Sequence, residues 1–81
     1  MPKTLRSPRQ EALRAFLVKE RKKAGLTQAD VSAKLGQYQS FIARIESGQR
    51  RIDVIEFLDL AKAIGFNAQA ALKRLENVRT A

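Results

Sequence analysis

Gln39, Ser40, Ala43 and Arg44 fall at i, i+1, i+4 and i+5, a spacing that puts four side chains on one side of an α-helix. Together they offer an amide that donates and accepts, a hydroxyl that does either, a donor-only guanidinium fork and one methyl group. Such a set suits recognition of a partner with a fixed pattern of donors and acceptors; it makes or breaks no bond. An ordinary solvated helix face carries Glu and Lys pairs at i and i+4, and this one carries none. The remainder of the 81 residues adds no catalytic inventory. Neither Cys nor His occurs, which removes disulfides, thiolate chemistry and the commonest metal ligand and general base together. With no nucleophile beside a base, no metal-ligand cluster and no Gly-rich phosphate loop, the expectation is no catalytic residue, no metal and no cofactor.

The elements that must position this face are short. A helix over about Gln39–Ser47 turns Phe41, Ile42 and Ile45 inward and is closed by Gly48. Ahead of it, Thr27 is a good N-cap and Asp30 completes the S/T-x-x-acid capping box, so another helix starts at about Gln28. Val31 and Leu35 form its inner edge, and Ala29 and Ala33 are small enough to admit a second helix closely. Gly36 ends it, and Gln37 and Tyr38 make the turn. Two short helices joined by a Gly-containing turn match a helix-turn-helix.

Three further helices complete the chain. Ser7-Pro8-Arg9-Gln10 reads as N-cap, proline at the first helical position and a box-completing glutamine, predicting a helix from Pro8 to about Ala24 with Leu13, Phe16, Leu17 and Ala24 on its apolar stripe. Arg21, Lys22 and Lys23 lie in its last turn, where cations oppose the helix dipole; that alone explains Lys22 and Lys23 as surface charge. Asp53 and Glu56 make another capping box for a helix over Val54–Ile64. Its stripe of Val54, Phe57, Leu58, Ala61 and Ile64, widened by Ile55 and Leu60, is broad enough for two neighbours. Asn67 caps a fifth helix, with Phe66 ahead of the cap and Ala71, Leu72, Leu75 and Val78 inward. No segment alternates with period two and no repeat is present.

The predicted class is therefore all-α, a compact five-helix bundle containing a helix-turn-helix. The expected division is a basic arm over residues 1–7, a domain over 8–78 with its helix-turn-helix at about 27–48, and a tail over 79–81. Its core is expected from Leu13, Phe16, Leu17, Leu26, Val31, Leu35, Ile42, Ile45, Phe57, Leu58, Ala61, Ile64 and Leu72. Each such burial contributes about 1.5–3 kcal/mol, sufficient for a marginally stable domain.

Net charge is +8, from 16 Lys and Arg against 8 Asp and Glu. Residues 1–25 hold 8 basic and 2 acidic side chains, while residues 52–81 hold 4 of each. The asymmetry favours an anionic partner at one end of the molecule, although a solubilising surface explains it equally well. No run has the length of a membrane span and the N-terminus lacks an apolar leader, so a cytoplasmic protein without membrane contact is expected.

A B-DNA major groove admits one α-helix, and its base edges present the donor and acceptor pattern that the face of Gln39, Ser40, Ala43 and Arg44 suits. Glutamine pairs with adenine N6 and N7, arginine with guanine O6 and N7, serine with either, and an alanine methyl with thymine. Phosphate contacts are expected from Gln28 at a helix N-terminus, and from Ser47, Gln49, Arg50 and Arg51 on the far side of the groove.

The stretch LTQADVSAKLG followed by QSFIARIESG resembles the helix-turn-helix domain of the Cro and phage-repressor family of bacterial and phage transcriptional regulators, the XRE type. The likeness is dense over 26–48 and looser over roughly 8–78. It implies that Gln28 binds phosphate and braces the start of the reading helix, that Gln39, Ser40 and Arg44 read bases, and that Arg21 pairs with Glu46 in a largely buried ion pair. From the residues alone, Glu46 reads equally as a surface acid. Tyr38 departs from the family pattern, which places a small hydroxyl residue there as N-cap. The larger repressors of the family also carry a second domain, which leaves no small-molecule effector to predict here.

The expectation is thus sequence-specific double-stranded DNA binding by a small transcriptional regulator, a repressor, encoded by a bacterium or phage. One reading helix touches only about 4–6 base pairs, so a homodimer on a palindromic operator is expected, with half-sites about 34 Å apart. The candidate dimer surface is helix 5 with the end of helix 4, where Leu75 and Val78 serve equally well to finish the core. An antitoxin-type or other protein-interaction module with secondary DNA binding is the alternative, because a fold alone does not settle function.

Overall fold

The computed structural model describes residues 7–78; the expected arm, apart from Ser7, and the 79–81 tail lie outside the described residues. Five helices follow one another: α1 (Pro8–Lys23), α2 (Gln28–Lys34), α3 (Gln39–Glu46), α4 (Val54–Ile64) and α5 (Ala68–Glu76). No strand occurs among the described residues.

Local chemistry sets most of these boundaries. Thr27 Oγ1 accepts from the Asp30 amide while the Asp30 carboxylate accepts from the Thr27 amide, and Asp53 and Glu56 make the same reciprocal pair ahead of α4. Ser7 and Asn67 accept from the amides three residues on, at the starts of α1 and α5. The turn between α2 and α3 needs a left-handed residue and has Gly36 there at φ 69°. It lets the Gln37 amide return to the Ser32 carbonyl at 2.8 Å.

Leu17, Val31, Ile42, Ile45 and Leu60 form one buried cluster drawn from α1 to α4, with Leu13, Phe16, Leu26, Leu35, Ile52, Ile64 and Phe66 packed around it. Phe66, in the α4–α5 link, meets Phe16 edge to face at 4.9 Å and lies 5.5 Å from Phe57, fastening α5 to the rest.

Several inward placements expected from the sequence are corrected, among them Ala24 at the end of α1, which is exposed. Leu58 and Leu72 are each 47% exposed, and Leu60 at 2% exposure takes the central place instead. The α4 stripe is so broad that the sequence does not decide which part meets the core. On α2, Ala29 and Ala33 face solvent, and the small residue beneath the neighbouring helices is Ser32, which lies beside fully buried Val31.

Candidate nucleic-acid interface

On α3 the residues divide by face. Ile42 and Ile45 are buried and Phe41 is half-buried, whereas Gln39, Ser40 and Arg44 are exposed and Ala43 is half-buried beside them. The structure thus brings together on one outer face the four side chains singled out by spacing. Tyr38 precedes them, 86% exposed, as an N-cap that makes no side-chain cap bond.

Glu46, the one acid of α3, is turned inward. Its side chain is 9% exposed and takes two bonds from Arg21, Nε to Oε2 at 2.6 Å and Nη2 to Oε1 at 3.0 Å. Arg21 also donates to the Leu26 carbonyl at 2.8 Å, tying the α1–α2 link to the same guanidinium. Gln28 Nε2 donates to Glu46 Oε1 at 2.8 Å, and Gln28 Oε1 accepts from Gln39 Nε2 at 2.8 Å. A continuous polar chain therefore runs from α1 through the end of α3 and the start of α2 to the first residue of the outer face.

Arg14 is a participant that spacing did not single out. Its Nη1 donates to the Glu46 carbonyl at 2.7 Å and its Nη2 to Glu11 at 2.5 Å. The hydrogen bond and charge of Glu11 hold the Arg14 pKa above its ordinary value. Gly48 ends α3 at φ 84°, and a Cβ there would lie 3.5 Å from the Arg14 side chain. The available signal was an arginine seven residues before Arg21 and three before buried Leu17, which places it on the inward side of α1.

The residues after α3 behave unequally. Ser47 Oγ donates to the Arg44 carbonyl at 3.1 Å, so its hydroxyl hydrogen is already engaged. Arg50 grips Glu56 with two bonds, at 3.0 and 2.8 Å, donates to the Arg51 carbonyl, and lies 4.7 Å over the Phe41 ring. Gln49 and Arg51 are exposed. The Arg50 hydrogen bonds, with a further bond from the Asp53 amide, hold Glu56 below the usual carboxylate range despite some opposing desolvation. No group of residues able to hold a metal ion occurs among the described residues, and no helix there is long and apolar enough to cross a membrane.

The helix-turn-helix family model HTH_3 matches residues 17–69, from the middle of α1 into α5. The chain belongs to this helix-turn-helix family, of the XRE type. A solved XRE-family like protein from Pseudomonas syringae pv. tomato str. DC3000 is 44% identical, with a TM-score of 0.80 over 84% of this chain and 83% of that one. The restriction-modification controller protein C.AhdI from Aeromonas hydrophila is 27% identical, with a TM-score of 0.63 over 73% of this chain and 83% of its own. The clp gene regulator ClgR from C. glutamicum, 19% identical at a TM-score of 0.74, shares the fold. The uncharacterized HTH-type transcriptional regulator y4dJ of Sinorhizobium fredii (strain NBRC 101917 / NGR234) is 40% identical over 45 residues, which are 56% of this chain. The match spans 58% of that relative's length.

Proposed function

We propose that this helix-turn-helix protein is a sequence-specific double-stranded DNA-binding regulator of transcription, acting as a repressor. Gln39, Ser40, Ala43 and Arg44 read base edges from the major groove. The observation that carries this reading is the inward turn of Glu46. With its carboxylate nine-tenths covered by Arg21, Gln28 and the scaffold, the outer face of α3 presents an amide, a hydroxyl and a guanidinium with no acid to repel phosphate.

Gln28, Gln49 and Arg51 supply the phosphate contacts around that face. Arg50, whose charge is already met by Glu56, shapes the loop that presents Arg51, and Ser47 contributes by closing the last turn of α3. Membership in a family that includes HTH-type transcriptional regulators supports the same reading.

The protein acts as a homodimer on a palindromic site. The apolar surface available for pairing lies at the first half of α4 rather than its end. Val54 is 70% exposed, Ile55 66% and Leu58 47%, whereas Ile64 packs against the core. Leu72 of α5 adds to the exposed apolar surface, so α4 and α5 remain the pairing elements with the contact moved along α4.

Selection of duplexes from a random pool tests the reading. A recurring half-site is expected, and Arg44→Ala should relax it at one base position while weakening specific binding by roughly 1–3 kcal/mol. Unchanged selectivity would remove Arg44 as a reader of bases.

A further inference from the structure

We propose that Glu46, which lies away from the outer face, is a positioning residue that makes Gln39 select adenine over guanine, by fixing the direction of the hydrogen-bond chain Glu46–Gln28–Gln39. The inference rests on the reading of α3 given above and deepens it.

An ionised carboxylate only accepts, whereas a glutamine amide accepts at one end and donates at the other. Both oxygens of Glu46 take bonds from Arg21, and Oε1 takes a further one from Gln28, so the Gln28 amide must point its Nε2 at Glu46. Its Oε1 is then the atom facing Gln39, and Gln39 must answer with Nε2, as it does at 2.8 Å. The acid at the end of α3 thereby dictates the orientation of an amide at its start, through a residue on another helix.

The donor inventory of Gln39 follows. One of its two N–H groups is held by Gln28, leaving one N–H and a carbonyl oxygen free. Adenine presents one acceptor, N7, and one donor, N6, to the major groove, which this remainder matches as a pair. Guanine presents two acceptors, N7 and O6, and a bidentate contact to it requires both amide hydrogens. A reversed chain would occupy the Gln39 carbonyl and free both hydrogens, which is the guanine-reading arrangement. The scaffold therefore excludes guanine at this position without touching a base. Gln28 keeps its second N–H free for phosphate, so bracing Gln39 and holding the backbone are compatible.

The test uses the full chain and duplexes that the wild-type protein enriches from a random pool, with adenine or guanine placed at the base whose preference Gln39→Ala abolishes. Wild type should favour adenine by roughly tenfold, the scale of one good bidentate contact. Gln28→Met, which leaves the Arg21–Glu46 pair in place, should bring the ratio of adenine to guanine binding close to unity while selectivity at the Arg44 position persists. Glu46→Gln, whose own amide is able to donate to Gln28, should move the ratio toward guanine. Because the readout is a ratio, a uniform fall in affinity from a lost phosphate contact or a less stable fold does not imitate it. An adenine preference kept by Gln28→Met overturns the relay alone. A wild-type protein with no preference that depends on Gln39 overturns the reading of the face, and the relay with it.

Discussion

Arg14 on α1 donates through Nη1 to the main-chain carbonyl of Glu46 at 2.7 Å, closing the last turn of α3 from outside the helix. Arg21, two turns further along α1, holds the carboxylate of the same residue. The two contacts differ in cost of loss. Arg21 and Glu46 side chains are 11% and 9% exposed, and removing one member of such a pair strands a charge in a poorly solvated place. Arg21→Met should therefore destabilise the fold by about 3 kcal/mol in urea titrations, and Arg14→Met by distinctly less. An Arg21→Met, Glu46→Leu double variant should recover much of the loss. A double variant no more stable than the single one would show that the pair's attraction, rather than a stranded charge, sets the cost.

Ser32 offers a change in the opposite direction. Its side chain is buried at 1% exposure and its hydroxyl has no hydrogen-bond partner. Removing an unsatisfied buried hydroxyl relieves a desolvation cost, and alanine is the better helix former. Ser32→Ala should raise stability by about 0.5–1 kcal/mol, read as a higher urea midpoint at constant slope. A lower midpoint would show that the hydroxyl packs to more effect than its solvation loss.

Acid should weaken the fold through Glu56. Its carboxyl lies below the ordinary 4.5 chiefly because of the Arg50 hydrogen bonds. The unfolded chain thus takes up the proton first as pH falls. The contribution is complete above about pH 4.5 and is lost as pH drops through the lower folded value. Asp30, lowered by the Thr27 amide and hydroxyl, adds in the same direction. Glu56→Gln should be less stable than wild type at neutral pH, and the difference should shrink as pH falls below about 4.5. A difference that holds constant to pH 2 would place the Glu56 contribution outside its charge.

Pairing of two copies can be read by sizing. Ile55 is 66% exposed and central to the apolar surface of α4. If that surface is the contact, Ile55→Lys should raise the dissociation constant at least about tenfold, since burial of each isoleucine is worth about 1.5–3 kcal/mol. Its melting transition as a monomer should be unchanged. An unaltered dimer would put the contact elsewhere.

Much of this architecture was legible because it is written locally. Thr27 with Asp30, Asp53 with Glu56, and Ser7 and Asn67 each state where a helix begins within four residues of sequence. What escaped was non-local or ambiguous. Leu58 and Leu60 lie on an apolar stripe too broad to show which of them turns inward. Arg9 reaches the Leu75 and Glu76 carbonyls of α5, and Arg14 that of Glu46, and a long side chain seeking a distant carbonyl leaves no periodicity behind. The outer face of α3 was visible from spacing and residue type, whereas its tether through Gln28 was implied by the family resemblance alone, because it depends on where α2 lies against α3.

That tether divides the face into two grades of freedom. Gln39 is fastened to the scaffold, while the side chains of Ser40 and Arg44 point outward with no hydrogen bond or ion pair to it. Residues 40 and 44 are accordingly open to exchange without loss of a hydrogen bond to the scaffold, whereas exchange at residue 39 breaks the bond to Gln28. On the proposed reading of this face, repeated substitution over descent would diversify the target at the two loose positions around one anchored contact, and a designer seeking new targets would begin at the same two places.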